Sequence, residues 1–262
     1  MIFGKDIMLE EYLMFLRAGG APETSLRARR CQIGRALRII DKAPEAITGE
    51  DLVLYMASQR WAPESRKAFR SAIRGFYAWA VESGRIATDP TARLPRVAVP
   101  AGRPRPAPDD VFARAMLAAT PRDRLMLMLA AYAGLRRAEI SRVHSDNLSE
   151  GQLRIVGKGG KVRVIPMNCE LAAALADVHG FAFPGKDAGH LSPDRVGVIL
   201  KRLLGPGWSG HTLRHRFATR AHRATHDLLA VQTLLGHSSV ATTQRYTAVD
   251  DQSLWDAIGG VA

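Results

Sequence analysis

Cysteine is scarce in this chain of 262 residues: it has only Cys31 and Cys169. They lie in different halves without the close spacing of zinc ligands, which argues against a disulfide scaffold and against a zinc site. The chain also lacks an apolar run of membrane-spanning length, and Met1 leads into charged residues rather than into a signal-peptide core. We therefore expect a cytoplasmic protein in a reducing compartment, with no membrane partner.

Several common catalytic motifs are also missing. No Ser or Cys stands in the context of a nucleophile elbow or a triad, so acyl transfer lacks its nucleophile. The GKGGKV stretch lacks the spacing of a nucleotide-binding loop and has Val162 where Ser or Thr would bind magnesium. His211 and His215 are four residues apart, but Thr212 replaces the Glu of a zinc protease and Arg214 would repel a cation. The sequence thus indicates neither a metal site nor a cofactor.

Acidic residues are too few to balance the basic ones. Lys and Arg number 37 against 25 Asp and Glu, which gives a net charge of +12 and an isoelectric point near 10.4. Such a balance favours a polyanionic partner such as nucleic acid, although a merely basic protein with no such partner is the plainer alternative. Hydrophobic residues make up 47% of the chain, so we expect it to be folded.

Residues 1–89 have the pattern of a small all-helical domain. Apolar residues recur at helical spacing in segments that begin near Leu9, Glu23, Asp51 and Pro63. The last of these helices carries a stripe of arginines at four-residue spacing, and no acidic residue follows until Glu82. The stripe, Arg66, Arg70 and Arg74, is either a solvated face or a set of phosphate contacts, and the missing acids favour phosphate.

Residues 90–108 contain six of the fourteen prolines, interleaved with arginines that include Arg103 and Arg105. So many prolines exclude a helix and predict a semi-extended basic linker. The linker is either a plain spacer or an arm that contacts a rod-shaped polyanion.

Residues 109–262 form the predicted second domain. A helix that is apolar nearly all round, from Leu125 to Ala133, should lie in the middle of its core. Two short strands, 153–156 and 162–165, flank the glycine-rich turn, and the pattern after them is helical to the end. The fold class is therefore mainly α with a small β-hairpin or sheet, in an α+β arrangement.

The last quarter of the chain carries the chemistry: HTLRH at 211–215, LLGH at 234–237, and Tyr246. A phenol has a pKa of about 10, so it needs a base or a cationic setting before it can attack. Planar arginine forks are suited to the charge of a phosphodiester transition state. His211, Arg214 and His215 share a helix face because they fall at i, i+3 and i+4. The set therefore predicts attack of a tyrosine on a phosphodiester.

These segments, with AGLRRAEI at 133–140 and the GKGGK hairpin, resemble the sequence boxes of tyrosine recombinases, the phage integrase and Xer family. The match covers the second domain in order, and the helical domain with its basic linker is similar to the family's core-binding half. By position, the resemblance implies a catalytic set, with Glu139 and His215 in support: Arg136, Lys158, His211, Arg214, His237 and Tyr246. Lys161 in the same turn is the alternative to Lys158. Taken alone, Arg136 could cap carbonyls and Tyr246 could lie at a core edge.

The resemblance further implies a mechanism without metal or ATP, in which Tyr246 forms a 3′-phosphotyrosyl bond and frees a 5′-hydroxyl. Arg136 and Arg214 would hold the nonbridging oxygens and His237 would add a hydrogen bond. We expect His211 to be the base for the phenol and Lys158 to be the acid for the leaving oxygen.

Recombination needs two duplexes and four sites, so we expect a tetramer on double-stranded DNA. The C-terminal tail, residues 247–262, carries Leu254, Trp255 and Ile258 at helical spacing and docks either on a neighbouring subunit or on its own domain. The chain starts almost directly with the core-binding helices, without room for an arm-binding domain. This favours a minimal phage or mobile-element integrase, possibly assisted by a directionality factor, over a Xer-type resolvase, a type IB topoisomerase or an idle DNA-binding protein.

Overall fold

The computed structural model describes residues 3–100, 104–157 and 160–236 of the chain. Two compact units divide it, Met1–Ala101 and Gly102–Ala262. Their boundary falls inside the predicted linker. The described residues between 90 and 108 form neither helix nor strand, in keeping with their prolines.

The described part of the first unit contains four α-helices, α1 (Phe3–Ala18), α2 (Glu23–Ile40), α3 (Gly49–Ser58) and α4 (Pro63–Glu82). The predicted helical domain is therefore confirmed, although α1 begins earlier than its apolar pattern indicated. Thr48 caps α3: its hydroxyl accepts the Asp51 N–H at 3.2 Å, and the Asp51 carboxylate accepts the Thr48 N–H at 2.9 Å.

The core of the first unit forms around α4. Phe69, Ile73, Phe76 and Tyr77 are all buried, as their helical spacing predicted. Leu94, from the proline-rich segment after α4, is buried in the same core. Part of the predicted linker thus belongs to the first unit.

The described part of the second unit contains seven α-helices, α5 (Asp109–Ala118), α6 (Pro121–Tyr132), α7 (Arg137–Ile140), α8 (Cys169–Leu175), α9 (Pro193–Leu204), α10 (Gly210–Thr225) and α11 (Leu228–Leu235). The α6 helix is buried on all sides from Leu125 to Ala131, and the core of the unit forms around it. Ala107 of the proline-rich segment joins this core. In the described segments, no helix is long and apolar enough to cross a membrane.

Three antiparallel strands form the sheet of the described residues, β1 (Leu148–Ser149), β2 (Gln152–Val156) and β3 (Val162–Pro166). The predicted hairpin is β2–β3, and it pairs Ile155 with Arg163. The two-residue strand β1 was not predicted. The prediction that the chain is helical after the hairpin is wrong at β4 (Pro184–Asp187), because the glycines of this stretch allow a tight turn that bridges back to His190.

Candidate active site

The turn between α6 and α7 positions the first arginine of the site. Gly134 has φ +62°, a left-handed conformation that ends α6 and redirects the chain. Arg136 then lies at the N-cap of α7, and Glu139, three residues on, reaches back to it. One carboxylate oxygen accepts the Arg136 backbone N–H at 2.8 Å, and the other accepts its guanidinium at 3.0 Å. Glu139 thus fixes both the backbone and the side chain of Arg136.

A second arginine, Arg163 of β3, contacts the same carboxylate. Its two terminal nitrogens donate to the two oxygens of Glu139 at 2.9 and 2.8 Å, a bidentate pair, and its Nε donates to the carbonyl of Leu234 at 2.9 Å. The side chains of Arg163 and Glu139 are only 8% and 5% exposed. Sequence reasoning missed Arg163.

A signal for Arg163 was present in the alternation of β3. Val162 and Val164 are exposed, whereas Arg163 and Ile165 share the opposite face, as the two-residue period of a strand requires. An arginine on the same strand face as a buried isoleucine is placed to point inward, where it needs an anionic partner.

The third arginine is Arg214 on α10, whose side chain is 3% exposed. Its guanidinium donates to the carbonyl of Gly134 and, at 2.6 Å, to the carbonyl of Leu235. It also lies 4.0 Å from a Glu139 oxygen. Arg136 donates to the same Leu235 carbonyl at 3.5 Å. Arg136 and Arg214 are therefore neighbours in space although they lie far apart in the chain.

Three guanidinium groups surround one carboxylate, so the cluster carries a local charge of +3 − 1 = +2. Burial alone would raise the pKa of Glu139, but hydrogen bonds from Arg163 and from the Arg136 N–H, with the charges of both arginines, hold that pKa below its ordinary value. Glu139 is thus ionised at neutral pH. The excess positive charge is suited to a phosphate group.

A pocket of about 660 Å³ opens beside this cluster. Arg136, His211 and Arg214 line it together, and α9 supplies the opposite wall with residues that include Lys201. The structure thus brings three of the predicted catalytic residues to one cavity.

His211 and His215 lie next to each other on α10, with their Nε2 atoms 2.9 Å apart. Partial burial, with Arg214 and Arg136 nearby, lowers the pKa of His211 from its ordinary value. Burial, with His211 and Arg214 nearby, lowers the pKa of His215 to about 4. Both rings are therefore neutral at physiological pH.

The remaining predicted catalytic residues, Lys158, His237 and Tyr246, lie outside the described residues, as does the tail 247–262. Lys161, the alternative to Lys158, is exposed, and its carbonyl accepts the Gly157 N–H at 2.7 Å. Within the ranges that the structure describes, no three His, Cys, Asp or Glu side chains form a group that could hold a metal ion.

The arginines predicted to contact DNA have different environments. Arg66 donates to the carbonyls of Met56 and Gln59 at 2.7 and 3.0 Å, at the C-terminus of α3, and so caps that helix. Arg70 donates to the Leu94 carbonyl at 3.0 Å. Arg74 is exposed. The stripe thus combines structural and exposed arginines.

The two arginines predicted in the linker also differ. Arg105 is exposed and lies over the Trp208 ring at 4.5 Å. Arg103 falls outside the described part of the chain.

Known proteins resemble this chain along most of its length. The family model for the phage integrase family matches residues 110–253. The tyrosine recombinase XerC of Xanthomonas campestris pv. campestris is 37% identical over 213 residues, which cover 74% of this chain and 66% of the relative, so the match leaves about a third of that relative uncovered. XerC of Chromohalobacter salexigens is 33% identical over 280 residues, which cover 95% of this chain and 93% of that protein.

Two solved structures have the same fold. The integrase from mycobacterium phage Brujita is 26% identical, with a TM-score of 0.51, and the match covers 97% of this chain and 91% of that one. A lambda integrase dimer bound to a COC′ core site is 20% identical, with a TM-score of 0.76, over 94% of this chain and 77% of that one. The fold and the arginine cluster define a tyrosine recombinase, an enzyme of site-specific recombination. The chain belongs to the phage integrase family.

Proposed function

We propose that this protein is a minimal phage or mobile-element integrase that cuts and rejoins duplex DNA through a 3′-phosphotyrosyl intermediate. The observation that carries the proposal is the pocket beside the +2 cluster, which Arg136, His211 and Arg214 line together. Such a site is suited to a phosphodiester, because fixed guanidinium groups stabilise the charge that develops on the transferred phosphoryl group.

In the proposed reaction, the Tyr246 oxygen forms a bond to the scissile phosphorus while the bond from phosphorus to the 5′-oxygen breaks. Arg136 and Arg214 hold the nonbridging oxygens, and His237 adds a hydrogen bond. Lys158, or Lys161 in the same turn, protonates the leaving oxygen. Because the phosphotyrosyl bond conserves the energy of the broken bond, the reaction requires neither metal nor ATP.

A nicked suicide substrate tests this proposal, since loss of a short 5′-hydroxyl fragment traps the covalent complex. The wild-type chain should form a complex that survives denaturing electrophoresis, and Tyr246→Phe should form none, because phenylalanine lacks the nucleophilic oxygen. Tyr132→Phe is a matched control on α6 that should leave trapping intact. A covalent complex with Tyr246→Phe, or none with the wild-type chain on its footprinted site, would contradict the proposal.

The proposed partner is double-stranded DNA with a short core-type site. The net charge of +12 and the exposed Arg74 and Arg105 support it. Among proteins of the same fold is a lambda integrase tetramer bound to a Holliday junction, with a TM-score of 0.73 at 20% identity. We infer that this chain also assembles as a tetramer on DNA, in the bacterial cytoplasm at the nucleoid, where a directionality factor could act on it.

A Xer-type resolvase is the second candidate, and the curated relatives named XerC and XerD, at 33–37% identity, favour it. Footprinting on host and element DNA separates the two candidates. An integrase should join two different sites, one from the element and one from the chromosome. A resolvase should recombine two copies of one site and convert a plasmid dimer to monomers. Relaxation of plasmids without any specific site would instead indicate a type IB topoisomerase.

A further inference from the structure

Residues 104–109, here called the strap, run along α10 within the second unit. The Arg105 N–H donates to Nδ1 of His215 at 2.9 Å, and the Ala107 N–H donates to the carbonyl of Thr212 at 3.0 Å. Asp109 accepts two hydrogen bonds from Arg216, at 2.7 and 3.0 Å. The strap is therefore attached to α10 at three successive points, one of which is a histidine ring beside the pocket.

The first of these contacts determines where His215 carries its proton. A backbone N–H can only donate, so Nδ1 of His215 must be the acceptor. A neutral imidazole has one N–H, which in His215 then lies on Nε2. The ring is neutral at physiological pH because its pKa is lowered to about 4.

The proton position of His215 in turn determines that of His211. The two Nε2 atoms are 2.9 Å apart, and the one on His215 carries the proton, so the one on His211 accepts. The lowered pKa of His211 keeps this ring neutral too, and its own proton then lies on Nδ1. A proton taken up on Nε2 of His211 would face the N–H of His215 and break the contact.

We propose that the backbone amide of Arg105 and the ring of His215 form a relay that makes His211 a hydrogen-bond donor through Nδ1. In this arrangement His211 does not accept the proton of the attacking phenol, which passes to solvent instead. His215 is a positioning residue, because it acts through His211. The inference rests on the proposed function, and it replaces the role of base that the residue pattern suggested for His211.

The relay also gives the strap a role beyond joining two units. Arg105 lies three residues from the unit boundary at Gly102, so the segment that follows the boundary sets the proton position of a pocket residue. Displacement of the strap would remove the donor to Nδ1 and leave the histidine pair free to exchange tautomers.

The amide can be deleted without changing either histidine. Arg105→Pro removes the N–H, because proline has none, whereas Arg105→Ala keeps it and removes only the guanidinium. Any contribution of that guanidinium to DNA affinity or to stacking on Trp208 is lost from both variants. The difference between them therefore isolates the amide.

Nitrogen-15 NMR of the full chain, labelled in histidine and free of DNA, reads the tautomers directly, with the His211 signals assigned by their loss in His211→Asn. We expect the proton of His211 on Nδ1 in the wild type and in Arg105→Ala, and a mixture of tautomers in Arg105→Pro. A proton on Nε2 in the wild type, or the same tautomer in all three proteins, would overturn the proposal. This measurement is independent of DNA cleavage, so it stands even if the proposed function fails.

Cleavage of the suicide substrate at saturating DNA supplies the second readout. Arg105→Pro should form the covalent complex about tenfold more slowly than Arg105→Ala, the lower end of the range for losing an outer-shell orienting partner. His215→Leu should be similarly slow, and His215→Gln should recover most of the rate because its amide can accept and donate. Equal rates for the Leu and Gln variants, at matched urea midpoints, would refute the relay.

Discussion

Glu139→Ala tests whether one carboxylate holds the arginine cluster together. The two Glu139 oxygens accept four hydrogen bonds of 2.8–3.0 Å, two from Arg136 and two from Arg163. Removal of the carboxylate leaves the buried Arg163 without its counter-charge. Breaking a buried ion pair in this way costs about 3–5 kcal/mol, a large fraction of the roughly 5–15 kcal/mol that stabilises a whole domain.

The free energy of unfolding should therefore fall by about 3–5 kcal/mol for the second unit. For a unit of this size, that corresponds to a Tm lower by roughly 6–20 °C. Glu139→Gln should lose less, because the amide keeps one acceptor oxygen for Arg163.

Urea denaturation and calorimetry of the full chain measure these changes. The control is Asp110→Ala, which removes an exposed carboxylate that pairs with Arg114 on the same unit, and it should change stability little. The transition of the first unit should stay in place in every variant. A shift below about 1 kcal/mol for Glu139→Ala, within the range of an ordinary surface change, would refute the reasoning.

Two further predictions follow from the same cluster. Because the pKa of Glu139 is lowered in the folded state, its contribution to stability is present above the unfolded value of 4.5 and is lost as the pH falls through the folded pKa; the acid-induced loss of stability between pH 5 and about pH 3 should be smaller in Glu139→Gln than in the wild type, and equal slopes would contradict the assignment. In Gly134→Ala, the new Cβ would lie 2.5 Å from a ring carbon of Phe217 at φ +62°, so the variant should lose about 2–4 kcal/mol in urea denaturation, whereas Gly151→Ala, at φ +75° with open space around it, should lose less.

The helices and the hairpin could be predicted because the spacing of apolar residues along the chain determines them. Capping signals worked for the same reason: Thr48 and Asp51 are three residues apart, and both hydrogen bonds of the capping box form. The short strands β1 and β4 escaped prediction, because two to four residues are too few for a periodic pattern.

The site was predictable only where a local motif marks it. Arg136, His211 and Arg214 lie in such motifs, and the pocket brings them together. Arg163 lies in a strand with no motif, and its partner Glu139 is 24 residues away, so the pairing depends on tertiary structure. The hydrogen bond from the Arg105 amide to His215 spans 110 residues and involves a backbone atom, which residue identity does not specify.

The C-terminus of α11 explains how one short helix couples the cations to the nucleophile. Its last carbonyls have no partners within the helix and carry the negative end of the helix dipole. Here the carbonyls of Leu234 and Leu235 accept hydrogen bonds from Arg163, Arg136 and Arg214. The chain leaves α11 at Gly236, in the left-handed conformation, directly before the segment that carries His237 and Tyr246. Docking of α11 on the second unit therefore positions the arginines and fixes the starting point of the segment that bears the tyrosine, so arginine placement and delivery of the nucleophile depend on the same contacts.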